Sequence, residues 1–319
     1  MVRYGMTIPF DGVPLAEQRD WWEELAELGY TDLWSSEANG TDGFSPLALA
    51  SAWVPSMRLG VAIVPAFTRG PGLLAMSVAA MAEAAPGRFV FGIGTSSNVI
   101  VESWNDIPFD KPYQRTRDMV RFLKAALEGA KVDAEYETLR VKGFRLGRQI
   151  PAEHVPPILV AGLRPGMLRL AGREGDGAII NWLSAEDVKK VVPEVGPGKE
   201  IVARIFVCPS EDADTVRAMG RFAIAAYLNV PVYAAFHDWL GRGPALKPMW
   251  DAWQAGDRKA ATASIPDEVV DALIVHGSPA ACREHIQRYV DNGVTTTAVA
   301  LLPFGVDARQ ASRDLAPRA

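Results

Sequence analysis

At 319 residues, with 49% hydrophobic and 22% charged, the chain has the composition of a globular protein with room for one sizeable core. A net charge of −5 without a dense Lys/Arg run excludes the usual footprint of a nucleic-acid or anionic-membrane binder, so neither partner is expected. Cys208, Cys282 and the scattered His154, His237, His276 and His285 stand in no metal-ligand or framework spacing, so no metal is expected and both cysteines read as packing residues.

In chain order, MVRYGMTIPF is too short and too soon interrupted for a signal peptide, and no apolar stretch that follows reaches membrane-spanning length. Cytoplasmic residence is the expectation. Short β-rich runs then alternate with longer segments of helical period, the pattern of βα units and a parallel sheet. Strands are expected at Tyr4–Pro9, Thr31–Ser35, Arg58–Val64, Arg88–Ile93, Pro157–Ala161, Gly177–Ile180, Ile201–Cys208 and Thr296–Leu302. About eight is the number that closes a barrel. Trp22, Leu25, Ala26 and Gly29 recur at helical spacing, as do Met119, Phe122, Leu123, Ala126 and Leu127, each set marking a face packed on the sheet. Ser278-Pro279 supplies an N-cap and a first-turn proline, and Gly293 a C-terminal cap, for a helix over AACREHIQRYV.

Two stretches break the alternation. Residues 131–150, with Val132, Tyr136, Leu139, Val141 and Phe144 among charges and glycines, suggest a hairpin. Residues 211–273 read as several helices with a break at Gly241–Pro244 and carry Tyr227, Tyr233, Phe236, Trp239, Trp250 and Trp253. These aromatics suit packing and oligomer contact, with a homodimer the assembly to look for, or the lining of a substrate pocket. The expected organisation is one barrel domain over residues 1–319 with both additions.

In such barrels the chemistry sits in the loops after the strands. SSEANGTDGFSP, PAFTRGP, GTSSNVIVESWN and AGLRPGM follow the second to fifth strands and together have the character of a cofactor rim. Thr95, Ser96 and Asn98, behind the close-approach glycines 92 and 94, suit a polar cofactor tail or ring oxygens, although a capped turn reads the same way. The stretch lacks the third glycine of a dinucleotide fingerprint. Gly162, Leu163, Arg164 and Gly166 precede a helical run, placing free N–H groups and a guanidinium where a phosphate sits, although strand–Gly–helix turns are common without one. Glu37 is the carboxylate of the SSEAN stretch, placed to take a proton or orient a substrate, or simply solvated. Glu102 and Trp104 are weaker wall candidates. Asn181 and Trp182 either meet a ring system or pack, and Arg69 and Arg88 read as structural ion pairs or caps.

MRLGVAIVPAFTRGP, PGRFVFGIGTSSN, PILVAGLRPGMLRLAGREGDGAIIN and LIVHGSPAACREHIQRYVDNGV together resemble the luciferase-like monooxygenase superfamily, in its coenzyme F420-dependent oxidoreductase branch. The resemblance implies an α/β fold, a (β/α)₈ barrel of the bacterial-luciferase type with insertions, with a deazaflavin ring at the C-terminal mouth. It places the cofactor phosphate at Gly162, Leu163, Arg164 and Gly166, and the ring or side chain near Thr95, Ser96 and Asn98. It also implies a non-proline cis peptide at Ala62–Ile63, with Ala62, Ile63 and Val64 forming a bulge behind the ring. Related sugar-phosphate dehydrogenases carry Asp-His after the second strand where this chain has Glu37-Ala38, so that substrate class is not carried over.

The function expected is hydride transfer between F420 and a small organic substrate. An FMN-dependent monooxygenase is the enzymatic alternative, and a catalytically silent F420- or flavin-binding protein the alternative from another class.

Overall fold

The computed structural model describes residues 2–317; Met1, Arg318 and Ala319, inside the expected domain span, lie outside the described residues. Eight strands form the barrel: β1 Arg3–Thr7, β2 Asp32–Ser35, β3 Arg58–Val61, β4 Phe89–Gly94, β5 Ile158–Ala161, β6 Gly177–Asn181, β7 Glu200–Cys208 and β8 Thr296–Leu301. Each pairs in parallel with the next, and β8 pairs with β1 to close the ring. Strands buried on both faces read as near-continuous apolar runs, and FVFGIG of β4 is buried throughout.

All eight strands fall where the sequence puts them, with one difference at the third. β3 stops at Val61, and a two-residue strand, Val64–Pro65, resumes pairing with β4. The Ala62–Ile63 peptide between them is cis.

Inside the barrel, Trp34 meets Val90, Leu159, Ile179, Val202 and Ala298. The indole fits because β1 and β3 offer glycine opposite it: a Cβ on Gly60 would lie 2.3 Å from the ring and one on Gly5 2.7 Å from it. At the N-terminal end, buried Asp32 pairs with Arg3 at 3.1 Å and Arg58 at 2.7 Å. Arg58 also pairs with Glu200 at 2.6 Å, and Thr296 Oγ1 donates to Glu200 at 2.7 Å.

Helices cover the outside. Several open on a first-turn proline, such as Pro71, Pro112, Pro165 and Pro279, whose fixed φ suits that position and whose missing N–H costs nothing there. Met119, Phe122, Leu123, Ala126 and Leu127 are buried along the helix Pro112–Leu127. The helix Arg19–Glu27 buries Trp21 with Trp22 and Leu25, but Gly29 lies beyond its end at φ +92°. That glycine serves the turn into β2 and is not part of the packed face. Ser278 caps the helix Pro279–Asp291 by accepting from Ala281 N–H at 3.3 Å.

Strands Val132–Glu135 and Arg140–Phe144 form an antiparallel hairpin. Its turn is tied down by buried Asp118, which accepts from both the N–H and the hydroxyl of Thr138 at 2.9 Å. Between β7 and β8 run the helices Ala213–Leu228, Pro231–Leu240, Gly243–Gln254, Arg258–Ala263 and Asp267–Leu273, with Gly241 at φ +99° making the break. A strand the sequence does not announce, Ile274–His276, follows and pairs with Phe206–Cys208. It joins the preceding helix without a Gly or Pro between them, which leaves no local signal of the change. Among the described residues no helix is long and apolar enough to cross a membrane.

Candidate active site

The C-terminal mouth of the barrel opens into a cavity of about 1790 Å³, lined by the loops after the strands and by one side of the helical segment. Of the residues singled out from the sequence, Glu37, Ala62, Ile63, Thr95, Ser96, Asn98, Leu163, Arg164 and Gly166 line it. Val64 and Gly162 are buried behind the wall instead. A Cβ on Gly162 would come within 3.0 Å of Leu168 N and 3.1 Å of Met167 C. Helix-on-strand packing by itself therefore demands a glycine here.

Glu37 is engaged at both oxygens. Arg69 donates to Oε1 at 2.6 Å, and Gly43 N–H donates to Oε2 at 2.9 Å. The Arg69 guanidinium lies 5.1 Å from the centroid of the Phe44 ring. Ser35 Oγ donates to Gly43 O at 2.6 Å, so carboxylate, guanidinium and hydroxyl tie the loop after β2 to the end of that strand and to Arg69. Arg88, by contrast, reaches the Met57 carbonyl at 2.6 Å and serves as a structural cap.

After β4, Gly94 is fixed by crowding: a Cβ would lie 2.9 Å from Ala161 Cβ and 3.2 Å from Ile63. Ser96 adopts φ +61°, and a π-helical turn over Val99–Ser103 follows. Trp104 lines the mouth, whereas Glu102 turns back to accept from Phe109 N–H at 3.3 Å. After β5, Arg164 is the extended residue before the helix Pro165–Glu174, and no side chain caps that helix. Its first turn therefore presents uncapped N–H groups among cavity-lining residues.

The deepest polar groups come from the strands themselves. Asn181 of β6 and Arg204 of β7 are register partners on the cavity side. Asn181 Nδ2 donates to Tyr233 Oη at 3.3 Å. Burial, against the Asn181 hydrogen bond and the charge of Arg204, pushes the Tyr233 phenol up to about 12. Thr7 Oγ1, Asn181 Oδ1 and Arg204 Nε are buried without a hydrogen-bond partner. Trp182, at φ +52°, stacks on Phe206 with ring centroids 4.0 Å apart and packs against Tyr227 at 5.2 Å. Among the described residues lining the cavity there is no histidine.

The aromatics of the helical segment divide between two tasks. Tyr227, Tyr233, Trp239 and Trp253 line the cavity, whereas Phe236 is fully buried and Trp250 packs in the core below the helices. Thr7 and Arg204 are the residues sequence reasoning missed. Arg204 carried a signal, because a charge alternating with Val202 and Phe206 in IVARIFVC stands on the interior parity of the strand.

The luciferase-like monooxygenase family model matches residues 2–296, and the chain belongs to that family. It is 26% identical to a 5,10-methylenetetrahydromethanopterin reductase of Methanolobus tindarius, over 91% of each chain. It is 24% identical to a putative coenzyme F420-dependent oxidoreductase of Mycobacterium tuberculosis, over 86% of this chain and 87% of the relative. The coenzyme F420-dependent tetrahydromethanopterin reductase from Methanopyrus kandleri shares the fold, with a TM-score of 0.79, 19% identity and coverage of 100% of this chain and 98% of that one.

Proposed function

We propose that this protein is a coenzyme F420-dependent oxidoreductase that moves a hydride between the deazaflavin and a small organic substrate at the barrel mouth. The observation that carries this reading is the pairing, in one cavity, of an uncapped helix start at Arg164–Gly166 with the unpartnered polar atoms of Thr7 and Asn181. An anionic tail suits the first and the edge of a polar ring the second. The F420 dependence named for the Mycobacterium and Methanopyrus relatives agrees with it.

In this reading Leu163, Arg164 and Gly166 hold the phosphate, Thr95, Ser96 and Asn98 border the ring or its side chain, and Ala62 and Ile63 form the surface behind it. When bound, F420 supplies the hydride donor or acceptor, and the protein supplies orientation and electrostatics. Glu37 is a positioning residue: with both oxygens already accepting hydrogen bonds, it fixes the loop after β2. The chain is taken as one barrel domain carrying a hairpin and a helical addition, a cytoplasmic enzyme of small molecules that assembles as a homodimer.

Fluorescence titration with F420 and with FMN tests the cofactor. F420 should bind more tightly, and Arg164→Ala should weaken it about tenfold, on the order of 1.4 kcal/mol, without changing fold stability. Equal or tighter FMN binding favours a flavin monooxygenase and removes the F420 reading. Tight F420 binding with no hydride transfer to or from any compound of a substrate panel favours a silent carrier.

A further inference from the structure

Arg204 stands in an unusual position for a guanidinium. It projects from the middle of β7 into the base of the mouth cavity, one side-chain layer above Val202 and the apolar plug around Trp34. Among the described residues it makes no ion pair and no hydrogen bond, and its Nε is buried without a partner. The Phe206 ring lies beside it, with its centroid 5.1 Å from Cζ. The carboxylates of the cavity wall do not neutralise it: Glu37 is held by Arg69, and neither Asp11 nor Asp238 pairs with Arg204. A guanidinium that lines a cavity with no carboxylate paired to it is free to meet an anionic ligand there, and its buried Nε lacks a partner.

The surroundings narrow what that ligand is. Asn181 is the register neighbour of Arg204, and its amide reaches Tyr233 Oη at 3.3 Å. Tyr227 lies next to Tyr233, with ring centroids 6.3 Å apart, and both line the cavity. A planar guanidinium fork suits the two oxygens of a carboxylate, and one unpaired guanidinium matches one negative charge better than the two of a phosphate monoester. The tyrosine wall suits an apolar or aromatic body attached to that acid. We propose that Arg204 binds the carboxylate of an organic acid substrate, whose apolar part lies against Tyr227 and Tyr233. The word substrate rests on the F420 reading above; the acid site itself does not require the cofactor.

The probes are acetate, benzoate and cinnamate, each paired with its methyl ester, titrated calorimetrically into the purified protein with and without F420. At least one acid should bind tenfold or more tightly than its ester. Arg204→Met should abolish the preference while leaving ester affinity and F420 affinity within about twofold of the parent, and Arg204→Lys should restore only part of it. Should Arg204→Met not fold, Arg204→Gln serves the same comparison. No acid preference across the panel, including binding of neither member of every pair, overturns the proposal. A tenfold loss of F420 affinity in Arg204→Met also overturns it, because the guanidinium then serves the cofactor. Failure of the parent to bind F420 with an Arg204-dependent acid preference intact removes the F420 reading and leaves the acid site standing.

Discussion

Two arginines on barrel strands, Arg58 at the N-terminal end and Arg204 at the C-terminal mouth, meet opposite treatment. Arg58 lies between Asp32 and Glu200, with Thr296 adding a hydroxyl, so its charge is matched within hydrogen-bond distance. Burial opposes its charge, yet the Glu200 and Asp32 contacts outweigh it and hold Arg58 above its ordinary value. For Glu200, burial raises the carboxyl, but the hydrogen bond and charge of Arg58 and the Thr296 hydroxyl bring it below the usual carboxylate range. Arg204 has a phenyl ring and a cavity. The same residue type is closed off by partners where the barrel needs stability and left open where it needs a ligand, in keeping with the division of labour between the two ends of such barrels.

The largest effect expected from breaking this contrast is at Asp32, fully buried between Arg3 and Arg58. Asp32→Asn should cost about 3–5 kcal/mol of unfolding free energy, because it removes one side of a buried pair. Urea denaturation reads this as a lower midpoint at unchanged slope. A loss below about 1 kcal/mol would mean that the lower cluster is no better paired than a surface bridge.

A smaller effect follows for Glu200, and its sign is fixed by linkage. The folded-state carboxyl sits below its unfolded value, so its contribution is fully present above the unfolded value and is lost as pH falls through the folded one. Glu200→Gln should therefore cost roughly 1.5–3 kcal/mol at neutral pH, the range for a hydrogen bond to a charged group. Parent and variant should converge as acid protonates Glu200 in the parent. Urea midpoints from pH 7 down to pH 3 check this; a constant gap across that range would assign the loss to shape and not to charge.

The sequence announces the frame of this contrast better than its content. Strand positions were legible because apolar runs such as FVFGIG are bounded by turn residues, and the rim stretches stood out as polar segments in the right places. What stayed hidden depends on contacts between distant residues. Glu37 reads as a free carboxylate in sequence, and only the fold brings Arg69 against it. Gly162 reads as a ligand-approach glycine, and only the packing of Leu168 shows why a Cβ is excluded. The pairing of Arg58 with Glu200 spans 142 positions. Arg204 lies between these cases: a lone charge in the apolar run IVARIFVC stands out in sequence, but only the closed barrel turns its face toward the cavity.

The smallest predicted effect is also the one that separates the two ends most directly. Arg58 has partners to leave behind, so its removal strands buried carboxylates; Arg204 leaves none, since no described residue accepts a hydrogen bond from its side chain. Arg204→Met keeps the length and apolar stem while removing a charge and an unpaired Nε from the cavity wall. Stability should stay at the parent's level or rise by up to about 1 kcal/mol, as substitutions that relieve a functional site commonly do. A thermal scan adds the complementary observation: a bound carboxylate should raise the parent's melting temperature, and go on raising it with the logarithm of its concentration above Kd, and leave Arg204→Met unmoved. If the variant instead melts well below the parent in ligand-free buffer, Arg204 has a protein partner in solution, and the mouth is closed by the same kind of pairing as the barrel's other end.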